Sequence, residues 1–467
     1  MKAMEHFHFV GIGGAGMSGI AQVLLEMGSK VTGSDIKESR NTERLKKHGA
    51  RIMIGHSADN VDEADVVIIS SAIPAKNPEV AFARNRKIPI LLRAQMLAEL
   101  CNGKESITIA GTHGKTTTTS MIALLIDKIG LDPTFLIGGE LNDIGGNARF
   151  GKGDYLVAEA DESDGSFLYL NPYIIVLTNI EADHLDYYGD FEKIEEAFLR
   201  FADKVPSDGS IIACGDCPGV QRLIARTDNK VITYGLDEKN DFYAGNIVLD
   251  SFSSCFDVFN KGELLGPARL SVAGSHNICN VLGAFALGVS LDLDFARMAE
   301  ILTSFRGVQR RFQVLGEVSE VTIIDDYAHH PTELKVTLKA AKKASESRVV
   351  CIFQPHRFSR TKFLGNDFKD AFDCADLTVL TDVYAAGEEP IPGVTGKLLV
   401  DAVLQENPRK QVVYLPKKAD VLGFLASEVR EGDLVLTAGA GDIWTVGEEL
   451  LNMLKANPVK VGADAIG

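Results

Sequence analysis

The run Ile107-Thr108-Ile109-Ala110-Gly111-Thr112-His113-Gly114-Lys115-Thr116-Thr117-Thr118-Thr119 holds the residue types that grip a triphosphate. Glycines let backbone N–H groups converge on phosphate oxygens, a lysine such as Lys115 reaches the β- and γ-phosphates, and a hydroxyl such as that of Thr116 can ligate Mg²⁺. Gly111, Thr112, His113, Gly114 and Thr117 complete the candidate cradle. The spacing departs from G-x-x-x-x-G-K-[ST]: Ile109 stands where the first glycine belongs, and Gly111 comes only three residues before Gly114, so the loop is a shortened variant. A plain glycine turn accounts for the glycines but not for a lysine followed by four threonines.

Four more constellations carry chemistry. Tyr155-Leu156-Val157-Ala158-Glu159 is an apolar run that ends in an acid, with Asp161, Glu162 and Asp164 close behind; a divalent ion at Glu159 is the sharper reading of it. Asn179-Ile180-Glu181-Ala182-Asp183-His184 sets a histidine among carboxylates, either as a second metal ligand or as a structural residue. His276, Asn277 and Asn280 open a small-residue helix, as simple caps or as partners of a purine. Arg306, Arg310 and Arg311 crowd a domain end, as a salt-bridged hinge or as a clamp on phosphate.

The elements that must position these groups alternate strand and helix, which argues an α/β protein. Phe7 to Val10 reads as a strand, Gly11-Ile12-Gly13-Gly14-Ala15-Gly16 as a glycine turn, Met17 to Met27 as a helix, and Val31 to Asp35 as a strand ending in an acid. That is the Rossmann order, with the acid placed for a ribose hydroxyl; NAD and a nucleotide-sugar both fit it. Strand Asp65 to Ile69 delivers Ser70 and Ser71 at its carboxyl end, and Arg93 follows a further apolar strand at the same rim. From Gly316 a third α/β unit follows, with Asp325 to Glu333 and Gln354 to Thr361 at its strand ends.

A chain of 467 residues should hold about three domains at roughly 150 residues each. The expected division is 1–103, N-terminal and Rossmann-like; 104–314, central, P-loop ATPase-like with a mostly parallel sheet; and 315–467, C-terminal and Rossmann-like. With 45% hydrophobic and 24% charged residues a sizeable core is available, while a formal charge of −16 opposes broad attraction to nucleic acid or an anionic membrane. Seven cysteines suit a reducing compartment, and Cys214-Gly215-Asp216-Cys217 reads as a turn rather than half of a zinc site. There is no apolar signal region after Met1 and Lys2 and no run long enough to span a bilayer, so the expected location is the cytoplasm.

Together these stretches resemble the Mur ligases, the ATP-dependent amino-acid ligases of bacterial peptidoglycan precursor synthesis. The resemblance spans essentially the whole chain, and its most discriminating run is Asp326-Tyr327-Ala328-His329-His330-Pro331-Thr332-Glu333. It implies an enzyme that joins L-alanine to the lactyl carboxylate of UDP-N-acetylmuramate through an acyl phosphate, in the service of cell-wall biogenesis, cell shape and division. Its cofactors would be ATP and two Mg²⁺ ions, with Mn²⁺ as a substitute.

By that resemblance, Gly13, Gly14, Ala15, Gly16, Met17, Asp35, Ser70, Ser71 and Arg93 hold the UDP-sugar, and Lys115 and Arg310 stabilise the transferring phosphoryl group. Thr116 and Glu159 hold the first metal ion and His184 the second. His276 and Asn277 face adenine and Asp326 the ribose, while His329, His330, Arg357 and Arg360 line the closed site. Later-acting relatives carry a carbamylated lysine near the metal; the corresponding position here is Phe198. Alternatives are a recycling ligase that adds a tripeptide to the same sugar nucleotide, and an NAD-binding regulatory or redox protein. A GTPase is disfavoured because no Asn-Lys-x-Asp motif occurs.

Overall fold

In a computed structural model, residues 5–61, 63–141, 146–250, 252–344 and 347–456 are described. Met1 and Lys2, and the chain past 456, lie outside them. The described residues form three sheets, one in each expected domain.

The first sheet contains β1 (His6–Val10), β2 (Lys30–Asp35), β3 (Arg51–Ile54), β4 (Val66–Ile69) and β5 (Ile90–Leu92), all parallel in the order β3-β2-β1-β4-β5. This is the doubly wound arrangement, in which the order reverses at β1 and ligands sit beyond the carboxyl ends. The helix Ala15–Glu26 follows β1 directly, so the turn at Gly11 to Gly14 lies at that switch point.

The second sheet is built on β6 (Glu105–Ala110), β7 (Thr134–Leu141), β8 (Gly146–Arg149), β9 (Tyr155–Glu159), β10 (Ile174–Leu177), β11 (Ser210–Cys214) and β12 (Val231–Gly235). It continues through β13 (Phe242–Leu249), β14 (Ser254–Asn260) and β15 (Glu263–Leu270), in the order β15-β14-β13-β12-β11-β10-β6-β9-β7-β8. The centre is parallel; β7/β8 and β13/β14/β15 are antiparallel hairpins at the two edges. β6 lies between β9 and β10 with Ile107, Ile109 and Ala110 wholly buried, as a central parallel strand covered on both faces requires.

The third sheet holds β16 (Gln313–Val318), β17 (Val321–Asp326), β18 (Val349–Phe353), β19 (Leu377–Leu380), β20 (Val412–Tyr414) and β21 (Leu434–Ala438), ordered β16-β17-β21-β18-β19-β20. Only β16 runs antiparallel, and it starts ahead of the border expected at 315 because Gln313 and Val314 pair with Asp325 and Ile324. The sequence reading passed over β3, β16, β20 and the edge hairpins of the central sheet, and also β11 and β12, although β11 is fully buried. The edge strands mix polar and apolar residues at half-buried positions, where the apolar run that marks a central strand is missing, while β11 offers only the short run Ile211-Ile212-Ala213.

All seven cysteines are free, and Cys214 to Cys217 is a turn, as read. Phe198 is 1% exposed and packs edge-on against Phe167 with centroids 5.2 Å apart, so this position serves the core.

The helix Ser275–Ser290 covers the central sheet. Gly283 meets the Tyr234 ring and Gly288 meets the Met298 sulfur, so side chains at these points would push the helix off its neighbours. Phe285 between them is completely buried and touches Phe295 at 5.0 Å. Phe285→Ala should therefore destabilise the central domain by about 3–5 kcal/mol, read as an earlier urea transition.

Candidate active site

The carboxyl ends of the three sheets meet at a cleft of about 700 Å³. From the first domain it is lined by Gly14, Ala15, Gly16, Met17, Ser70 and Arg93, from the second by Thr112 to Thr116, Glu159 and His184, and from the third by Tyr327, His329, Arg357 and Arg360. Sequence-predicted residues from each of the three domains, though not all of them, thus line one space.

The phosphate loop joins β6 to the helix Lys115–Lys128. Gly111 sits at φ +134°, and a Cβ there would run into the Thr178 hydroxyl and the Asn179 backbone, so the loop needs glycine at this point. The turn after β10 braces it. Thr178 Oγ1 and Asn179 Nδ2 donate to the His113 carbonyl at 2.6 and 3.0 Å, His113 N donates to Asn179 Oδ1 at 2.8 Å, and Glu181 N donates to Thr112 Oγ1 at 2.9 Å. Ile109 belongs to the strand itself and is fully buried, which is why the loop is short.

Lys115 Nζ donates to the Gly111 carbonyl at 2.5 Å and to Glu162 Oε1 at 2.8 Å. Burial works against its charge, but Glu162, Asp161 and Glu159 outweigh this and raise its pKa. Burial pushes Glu162 up to about 7 despite the lysine, with Asp161 adding repulsion. The lysine is thus held ready beside the loop, facing a carboxylate that a phosphate oxygen can replace.

Thr116 Oγ1 donates to Glu159 Oε2 at 3.3 Å, and the other Glu159 oxygen accepts from Gly138 N at 2.6 Å. Burial raises the pKa of Glu159, a site short of positive charge; hydroxyl and carboxylate together suit a hard divalent ion. His184, at φ +54°, points Nε2 to within 3.5 Å of Asp183 and 3.8 Å of Glu162. Burial lowers its pKa and keeps the imidazole neutral, the form that ligates metal.

The domains are stitched by ion pairs at the cleft. Arg360 meets Asp183 with two N–O contacts of 3.2 Å, both side chains 7% exposed. Burial works against the Asp183 charge, but Arg360 and nearby histidines hold its carboxyl well below the usual range. Arg93 of the first domain reaches Asp161 of the second at 3.0 Å. His113 lies between Glu333 of the third domain and Glu181 of its own, at 3.2 and 3.4 Å.

A second cavity of about 200 Å³ opens beside the loop, lined by His113, Thr117, His276, Asn277, Asn280, Arg311, Asp326 and the apolar Phe305, Val308 and Phe312. This is a partly apolar cavity with polar edges, of the kind that takes a purine. Burial and Arg311 push His276 down to about 4, so it is neutral. Burial pushes Asp326 up to about 6; its oxygens accept from Phe312 N at 2.7 Å and Ala328 N at 2.6 Å.

Some expected residues are placed differently. The Asp35 carboxylate is spent on Gly13 N and Ile36 N, both at 2.8 Å, so it shapes the glycine turn and does not line the cleft. Gly13, whose carbonyl accepts from Asn41, and the exposed Ser71 also stand off the cleft. Arg310 lines it, but its guanidinium is held by Asp325 at 2.9 Å and by the Gly439 and Gly441 carbonyls. Arg311 instead faces both cavities. His330 lies outside the central cleft with its ring buried and Nε2 unpartnered. Burial pushes His329 down to about 3, with Nδ1 3.0 Å from the Tyr327 carbonyl.

The sequence offered Arg311 only as one of three arginines of a hinge or phosphate clamp, and it gave no individual role to Asp183, Glu162 or Glu333. Each stands within a run it singled out, but nothing in the spacing says which acid meets which base across domains.

Models of one family match the chain in three successive blocks: the Mur ligase family catalytic domain over residues 6–105, the Mur ligase middle domain over 109–288, and the Mur ligase glutamate ligase domain over 310–441. This chain, three α/β domains around a triphosphate loop, belongs to the Mur ligase family. It is 50% identical over 463 residues to the UDP-N-acetylmuramate–L-alanine ligase of Pelotomaculum thermopropionicum, covering 99% of this chain and 100% of that one. The enzyme of the same name from Myxococcus xanthus is 48% identical, covering 97% and 96%. Among solved structures, the UDP-N-acetylmuramate–alanine ligase of Thermotoga maritima superposes with a TM-score of 0.82 at 32% identity, covering 97% and 99%. A murein peptide ligase from Psychrobacter arcticus gives 0.73 at 25%, covering 98% and 100%.

Because Asp183 and Arg360 are buried and come from different domains, removing one charge strands the other at a cost of about 3–5 kcal/mol. Asp183→Asn should open the third domain away from the second, seen as a larger radius of gyration by small-angle X-ray scattering. An unchanged radius would mean the pair does not hold the domains.

Proposed function

We propose that this chain joins L-alanine to the lactyl carboxylate of UDP-N-acetylmuramate with cleavage of ATP to ADP and phosphate. The observation that carries the reading is the shared cleft: a glycine turn for a diphosphate, a lysine loop for a triphosphate and a histidine–arginine rim all open into one space. The relatives at half identity over nearly their full length carry that enzyme's name.

A carboxylate does not accept an amine directly, since oxide would have to leave. One carboxylate oxygen therefore attacks the γ-phosphorus, the bond to the β-phosphate oxygen breaks, and ADP departs with the electron pair. The alanine amine then attacks the acyl carbon, the C–O bond to phosphate breaks, and the amine gives up a proton. The first step brings two anions together, so it depends on positioning and charge neutralisation.

Lys115 leaves Glu162 to meet the γ-phosphate, and loop N–H groups hold the β-phosphate. Thr116, Glu159 and His184 are the residues that would hold Mg²⁺, which when bound neutralises phosphate charge. The turn at Gly14 to Met17, with Ser70 and Arg93, holds the UDP-sugar. His276, Asn277 and Asp326 border the adenosine slot. Arg311, which faces both cavities, is better placed than Arg310 to contact the transferring phosphoryl group. His329 and Arg357 line the part of the cleft left for alanine.

Among the described residues no helix is long and apolar enough to cross a membrane, and a reaction on nucleotide substrates suits the cytoplasm.

Phosphate release should require ATP, UDP-N-acetylmuramate and L-alanine together, and EDTA should stop it. Lys115→Ala should lower kcat by about 10²–10³. Release supported by a tripeptide but not by alanine would shift the reading to the recycling reaction, and full activity in Lys115→Ala would end it.

A further inference from the structure

Glu333 stands in the first turn of the helix Pro331–Ala344. Its Oε2 accepts from His329 N at 3.0 Å and His330 N at 3.2 Å, which ties up the free N–H groups at the helix start. That local duty occupies one oxygen. The other points across the domain border, with His113 Nδ1 3.2 Å away and the Arg311 guanidinium 3.7 Å away.

His113 is the residue between the two halves of the phosphate loop, one step before Gly114. Its far nitrogen lies 3.4 Å from Glu181, and Glu181 accepts from the hydroxyl of Thr332 at 2.9 Å. Thr332, Glu181, His113 and Glu333 thus form a ring of contacts with two members from each domain. Nothing in the reaction chemistry requires this ring, and an ordinary helix cap does not explain it.

We infer that Glu333 is a positioning residue that locks the phosphate loop to the third domain through His113, so that the cradle around Lys115 reaches its working shape only when that domain is seated. The inference rests on the proposed reaction for its readout of turnover. Electrostatics agrees with it. Burial opposes charge on His113, but Glu333 and Glu181 raise its pKa to about 9. Burial likewise opposes charge on Glu333, yet His329 and His113 hold it well below the ordinary value. The contact therefore joins a charged imidazolium to two carboxylates. It also adds a positive charge to the loop beside Lys115 when the domains are closed, and this charge depends on the incoming carboxylate.

Glu333→Gln separates the two duties, because the amide oxygen still accepts from His329 N and His330 N while the charge facing His113 is gone. In Glu333→Gln, kcat should fall about tenfold while KM for UDP-N-acetylmuramate stays within about threefold. His113→Gln should do the same, and the double variant should be no slower than the slower single one, since both remove one contact. If either single variant fails to fold, the other alone carries the test, since each removes the same His113–Glu333 contact.

Hydrogen exchange in residues 111–117 of the unliganded protein needs no turnover, and it should be faster in Glu333→Gln than in the wild type. An inactive wild type would count against the proposed reaction, while the exchange arm would still decide this inference. Wild-type kcat in Glu333→Gln, losses that multiply in the double variant, or unchanged exchange would each overturn it.

Discussion

The structure is governed by the need to hold like charges together in a small space. The protein carries a formal charge of −16, and a substrate carboxylate and a triphosphate add to it where Glu159, Asp161, Glu162 and Asp183 already stand. Each of these acids is answered locally: Asp183 by Arg360, Asp161 by Arg93, Glu162 by Lys115, and Glu159 by the Thr116 hydroxyl and a backbone N–H. The buried pairs Asp183–Arg360 and Glu162–Lys115 bring little net stability, because desolvation cancels much of their attraction. Their effect is to specify which surfaces meet, since a misplaced domain would leave a charge buried and alone.

That logic explains why residues expected at the substrate turn up in pairs with one another. Arg360 and Lys115 are paired with Asp183 and Glu162. An arriving phosphate competes for donors already aimed at the right space, so little reorganisation is needed when charge moves in the reaction. Arg310 is the contrast. Bound to Asp325 and two carbonyls, it fixes the turn that carries Arg311 and Tyr327 into the cleft.

Much of this was legible in the chain. Central strands such as β6, β9 and β10 are apolar runs because both faces are covered, and the loops that follow them hold the glycines, lysine and acids. The phosphate loop and the acid at Glu159 stand out from local order, whereas His184 reads equally as a metal ligand or a structural residue, and His276 and Asn277 equally as helix caps or partners of a purine. Edge strands were less visible because a strand exposed on one side needs no continuous apolar run. Asp35 stands off the cleft with its carboxylate on backbone N–H groups; an acid at the end of the second strand fits a ribose and a backbone turn equally well in one dimension.

The sequence by itself determined the order of elements, the triphosphate loop and the family to which the chain belongs, because these depend on residues within a turn or two of each other. Only the tertiary structure decided which charges pair across domains: Arg360 with Asp183, Arg93 with Asp161, and Glu333 with His113, across 177, 68 and 220 residues. Coulomb attraction and desolvation depend on distance and burial in space. Neither quantity is written in the spacing of residues along the chain.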